Sequence, residues 1–224
     1  MSVFDSAEQV FRDRTAFFSE VQKAIGLLPK IRNAAIVWSA ALLLSGAVVA
    51  VPGGVYQMLA SAIKLPFLIG VVTMAALPLL HLFALYFGAK MSFYQTAALV
   101  SGMLLIISAL MLAFLPALLV LWISVGHYGL HKLLCAAALA LSSVLGILFL
   151  KQGMDKIARG GTRLREFLFW LWAALYALVG GQMAWLMRPF AGSPNEPFQL
   201  FRGAGGSLYL DLIQTLRALI LSFF

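Results

Sequence analysis

Three histidines and one cysteine are the residues of this chain with the widest chemical repertoire. His127 and His131 stand four apart, a spacing that brings two imidazoles to one helix face and could hold a metal ion. Two histidines alone do not complete such a site, so the pair reads as interface histidines in a short loop. His81 lies inside a long apolar run, three residues after Pro78. At that depth an imidazole faces protein or water rather than lipid. Its expected partner is a backbone carbonyl freed by Pro78, a structural role. Proton handling would need a carboxylate in a span, and the apolar runs hold none. A single cysteine, Cys135, forms no intramolecular disulfide. HExxH, GxSxG, P-loop and paired-cysteine motifs are absent. The reading is therefore of a non-enzymatic protein, with no residue assigned to catalysis, to a cofactor or to a metal.

The elements that must position these side chains are defined by where charge is missing. Residues 34–51, 66–89, 94–123, 133–150 and 167–187 contain no Asp, Glu, Lys or Arg. Runs of about 18 or more apolar residues match the ~30 Å hydrocarbon core of a bilayer. The 224 residues are 62% hydrophobic and 11% charged, with a mean hydropathy of +0.97, whereas soluble domains carry about 25% charged residues. The expected fold is all-α: a polytopic membrane bundle of five transmembrane helices, with amphipathic interfacial helices at both ends. Three parts follow: a cytoplasmic arm (1–33), a five-span membrane domain (34–187) and an external Pro/Phe-rich segment with a C-terminal amphipathic helix (188–224).

The net charge of +8 reads as membrane orientation and attraction to anionic headgroups, not as nucleic-acid binding. Arg12, Arg14, Lys23, Lys30 and Arg32 precede the first span, Lys90 follows the second, and Lys151, Lys156, Arg159, Arg163 and Arg165 follow the fourth. The other side would hold only Lys64, Lys132, Arg188, Arg202 and Arg217. The positive-inside rule then places the N-terminus inside and the C-terminus outside. The arm reads as one helix over 4–28, opened by a Ser6–Gln9 capping box, with Phe17 and Phe18 at the headgroup boundary. Pro52-Gly-Gly54 ends the first span, residues 56–64 form a short interfacial run, and Lys64 snorkels to water. Pro116 is the expected bend of the long third span.

In the fifth span Gly180, Gly181 and Gln182 suggest close helix packing with an amide bonded across the contact. Trp170, Trp172 and Trp185 read as interface anchors. After it, Pro189, Pro194 and Pro197 alternate with Phe190, Phe198 and Phe201 up to Arg202. Such a segment is stiff and loses little entropy on docking. It is expected to fold back over the outer mouth of the bundle or to present Phe190, Pro194, Pro197, Phe198, Phe201 and Arg202 to a partner. Asp211 and Arg217 argue against a sixth span.

The stretch Phe87-Gly-Ala-Lys-Met-Ser-Phe-Tyr-Gln95, before a span with a late proline, resembles Yip1-domain membrane proteins over the central half of the chain. The ending Gln182-Met-Ala-Trp-Leu-Met-Arg-Pro-Phe190, with Gly-Ser-Pro and Phe-Gln-Leu-Phe-Arg202 after it, is similar to a group of uncharacterised bacterial multispan proteins. Some of these carry an actin-binding WH2 label. That label needs an LKKT-like run, which Leu28-Pro-Lys-Ile-Arg32 does not supply. The resemblance implies a bacterial inner-membrane protein and carries no activity.

The function expected from these features is a non-enzymatic membrane subunit that anchors or organises a larger assembly. Its expected partners are anionic lipids and other membrane subunits or further copies of itself. Two alternatives stand beside it. One is a homo-oligomeric pore or membrane-perturbing effector lined by Thr73, His81, Ser101, Ser108 and Gln182. The other is a Yip1-like lipid-sensing or membrane-shaping protein acting through the interfacial helices.

Overall fold

The computed structural model of the protein describes residues 5–86, 91–157, 163–192, 197–201 and 208–223. Its helices are α1 (Asp5–Arg12), α2 (Arg14–Gln22), α3 (Leu27–Val49), α4 (Gly54–Tyr86), α5 (Phe93–Val125), α6 (Tyr128–Ile157), α7 (Arg163–Leu186) and α8 (Leu208–Phe223). A 3-10 turn, Val51–Gly53, joins α3 to α4. No strand occurs among the described residues. The five helices α3 to α7 are each long and apolar enough to cross a membrane, and the chain is a multi-pass membrane protein.

Local chemistry sets several helix ends. Ser92 opens α5 with a capping box: its hydroxyl accepts the Gln95 N–H at 3.3 Å, and the Gln95 side chain accepts the Ser92 N–H at 2.7 Å. Gly126, at φ +63°, closes α5. The expected run at 56–64 is not a separate segment but continuous with the second span. It is the first part of α4, and Pro66 and Pro78 both sit inside that helix. In an apolar medium only a helix satisfies the backbone within one segment, so losing single bonds at two prolines costs less than breaking the helix. Pro116 likewise lies within α5.

In space the spans pack in the order α6, α5, α3, α4, α7. The core centres on α5, where Leu99, Met103, Leu105, Ile107 and Met111 are essentially inaccessible. By contrast only 17% of the residues in the apolar stretch of α7 are buried, against 44% in that of α5. It is held to α4 by Trp172, whose indole donates to the Ala76 carbonyl at 2.9 Å, and by Tyr176, whose hydroxyl meets that of Thr73 at 3.0 Å. Trp172 is therefore a buried packing residue and not an interface anchor.

The N-terminal arm is two helices broken at Asp13, and its apolar face meets the bundle instead of lipid. Val10, Phe17, Phe18 and Val21 are buried. Phe17 and Phe18 pack on Phe149 of α6, with ring centroids 6.0 and 4.9 Å away. The slot is cut by two glycines. A Cβ on Gly153 would stand 2.8 Å from the Phe18 ring, and one on Gly102 would stand 3.2 Å from the Phe17 ring. The expected Ser6–Gln9 capping box involves the Ser6 side chain, which lies outside the described residues; Gln9 itself is engaged elsewhere. Its amide donates to Glu20 at 2.7 Å and accepts from Lys30 at 2.9 Å, beside the Lys30–Glu20 ion pair. That arrangement holds the Glu20 carboxyl below its ordinary range, chiefly through the hydrogen bond from Lys30. At the other end of the bundle α8 packs against α6 and α7, fastened by Lys132, which pairs with Asp211 and donates to Thr215 at 3.1 Å.

Candidate functional site

The densest polar site lies where the chain leaves α7. Gln57, Ser61 and Lys64 project from one face of α4 and are all buried. Lys64 does not snorkel to water. Its ammonium donates to the carbonyls of Met187 at 3.1 Å, Pro189 at 3.3 Å and Leu200. Gln57 donates to the Pro189 carbonyl at 2.7 Å, and Ser61 to that of Phe190 at 2.6 Å. The faces of Phe190 and Phe201 flank the ammonium at 6.0 and 4.9 Å. Gly192, at φ +66°, lies so close to Gly53 and Gln57 that a Cβ there would stand 2.8 Å from the Gln57 side chain.

The depth of this clasp explains its chemistry. Lys64 meets Met187 at one end of the bundle, while Ala84 and Glu166 line one small cavity at the other. Between those levels α4 and α7 each run for about 20 residues, ~30 Å of helix at 1.5 Å per residue. That equals the hydrocarbon thickness. The non-helical strap at 187–192 and 197–201 thus lies at the apolar boundary, where an unbonded carbonyl is costly. Three side chains of α4 supply the donors that a helix would have supplied internally.

The expected docking residues divide accordingly. Phe190 packs against the core. Phe198 approaches Tyr56 with centroids 6.1 Å apart and, like Phe201 and Pro197, remains exposed. Pro194 and Arg202 lie outside the described residues. The described part of the segment is tied to its own bundle through its backbone and Phe190.

His81 does not bond a carbonyl freed by Pro78. Its Nδ1 lies 3.0 Å from the Thr96 hydroxyl on α5, and its ring meets Phe93 edge-on. Gly180 faces α4, where a Cβ would meet only Val72 at 3.8 Å. Gly181 is half-buried, and Gln182 is exposed on the side away from α4. The three residues do not act as one packing motif.

The remaining candidates also hold helices together. His127 accepts the Leu130 N–H at 3.2 Å at the start of α6. His131 is buried against the Val49 carbonyl at 3.1 Å, with the Cys135 thiol at 3.4 Å from the same nitrogen. His127 is thus exposed in the short loop between α5 and α6, as expected, whereas His131 lies on α6 and is buried. Cys135, one turn after His131, was the sequence signal for the thiol contact. Ser108 bonds its own helix at Leu105, and Ser101 and Thr73 are buried. With α5 filling the middle of the bundle, these hydroxyls line no channel through a single copy.

Three further polar residues, Gln95, Gln57 and Ser61, had escaped the sequence reading. Gln95, besides capping α5, donates to the carbonyls of Val21 and Gln22 at 2.9 and 3.0 Å, so it also closes α2. The clasp of Gln57, Ser61 and Lys64 was legible as a polar i, i+4, i+7 stripe on an otherwise apolar helix. Comparison of the chain with protein-family models, with curated proteins and with solved structures gives no match.

Proposed function

We propose that the chain is a non-enzymatic subunit of the bacterial inner membrane that anchors or organises a larger membrane assembly. The observation that carries this reading is how the polar side chains at depth are used. Lys64, Gln57, Ser61, His81, Thr73, Trp172 and His131 each bond another part of the same chain. Each is committed to holding the fold, which is the pattern of a scaffold and not of a reaction centre. A span as lightly buried as α7 supports assembly with further membrane helices.

The basic end of the molecule, with Arg12, Arg14, Lys23, Arg32, Lys151 and Lys156, supports a cytoplasmic position for the arm and contact with anionic headgroups. The strap and α8 are then external. The test is the native mass of the protein taken gently from its own membranes. A complex heavier than one 24.3 kDa chain is the expected result. A lone monomer in lipid, at every concentration tried, overturns the reading.

A further inference from the structure

One face of α7 carries a feature that lipid does not explain. Leu164, Leu171, Leu175, Leu178 and Gln182 fall within about 30° of one line on the helix at 3.6 residues per turn. All five are exposed. The buried Phe169, Trp172 and Ala173 and the half-buried Tyr176, which pack toward α4, lie roughly opposite. Leucines meet acyl chains and protein equally well. A glutamine does not, because its amide carries two donors and an acceptor. Among the described residues Gln182 has no hydrogen-bond partner within its own chain. It lies inside the uncharged stretch 167–187.

We propose that this seam is a contact between two copies of the chain, joined through Gln182. The proposal rests on the subunit reading and names one partner for it. Two copies inserted in the same sense are related by a two-fold axis along the membrane normal, so identical residues meet at the same depth. Gln182 then faces Gln182, and a primary amide is its own complement: each donates an N–H and accepts one. Polar side chains of this kind hold membrane helices together. The leucines at 164, 171, 175 and 178 extend the contact along the rest of the helix.

The experiment is disulfide trapping of the full chain in its native membranes. Leu178→Cys, one turn before Gln182, is oxidised beside two controls. One is the unaltered chain, whose only thiol, Cys135, is buried. The other is Met74→Cys, on the exposed face of α4. The expected result is a reducible band at about twice the chain mass for Leu178→Cys alone. Adding Gln182→Leu should lower its yield about three- to ten-fold, and Gln182→Asn should largely keep it. If Leu178→Cys stays single, or Met74→Cys traps as well, the proposal fails. If Gln182→Leu traps fully, the amide serves headgroups or water and the proposal fails. A heavy native complex without the Leu178 crosslink leaves the subunit reading standing and this contact refuted. A lone monomer removes both.

Discussion

The two ends of the bundle are closed by the two chain termini, and they are closed by opposite means. At one end α1 and α2 lie on the bundle through apolar shape: Phe17 and Phe18 fill a slot cut by Gly102 and Gly153. At the other end the strap after α7 is held through its backbone, by Lys64, Gln57 and Ser61. The difference follows from secondary structure. A helical arm satisfies most of its own carbonyls, leaving those of its last turn, at Val21 and Gln22, for Gln95 to bond. A proline-broken strap cannot satisfy its own in this way, so its host helix must supply donors.

Four perturbations test whether the two closures are independent. The largest effect is expected from Phe18→Ala, which empties the slot and costs about 3–5 kcal/mol. Thermal unfolding in detergent should show the loss, and limited proteolysis near Arg14 should show the arm released with the strap still docked. Lys64→Met should cost about 2–3 kcal/mol, because buried carbonyls lose their donor. Its signature is faster labelling of a Phe201→Cys reporter by a membrane-impermeant maleimide, with arm proteolysis unchanged. If Lys64→Met also frees the arm, the two ends are coupled and the contrast fails.

The third effect is pH-dependent. The Glu20 carboxyl is held below the ordinary value of 4.5, first by the hydrogen bond from Lys30. A depressed carboxylate stabilises the fold above its unfolded value and loses that contribution as pH falls through its folded value. Acidification below about pH 4.5 should therefore loosen the arm. Glu20→Gln should weaken the arm by about 1 kcal/mol at neutral pH and blunt the acid response. A residual response is expected from Asp13, whose carboxyl is also held low, by the Thr15 hydroxyl and the Ala16 N–H. Arm proteolysis followed from pH 7 to pH 3 reads both variants. The smallest effect belongs to Ser92→Ala, about 0.5–1 kcal/mol from one lost helix cap, visible as a small drop in melting temperature.

Much of the architecture was legible because it rests on local chemistry. Charge-free runs long enough for a bilayer marked all five spans, and Pro52 with its two glycines marked the turn after the first. Boundaries slipped where a local signal met the membrane. Pro66 looked like a helix start, yet α4 begins at Gly54 and passes through it. Partners were less legible than positions. His81 was rightly expected to bond within the protein, but its partner is Thr96 and not a carbonyl of its own helix. Phe17 and Phe18 carry the composition of an interfacial anchor, and only the glycines of two distant helices reveal that they are core.

By itself the sequence determined that this chain is helical and spans a membrane several times, because backbone satisfaction in hydrocarbon leaves a long uncharged segment almost no other form. The tertiary structure decided which of its few polar groups face one another. Lys64 could have snorkelled outward from α4. It turns inward because the strap, more than a hundred residues later in the chain, returns with unsatisfied carbonyls at the same depth. The pairing of a donor on one element with an acceptor on another depends on the arrangement of both, and no local pattern encodes that arrangement.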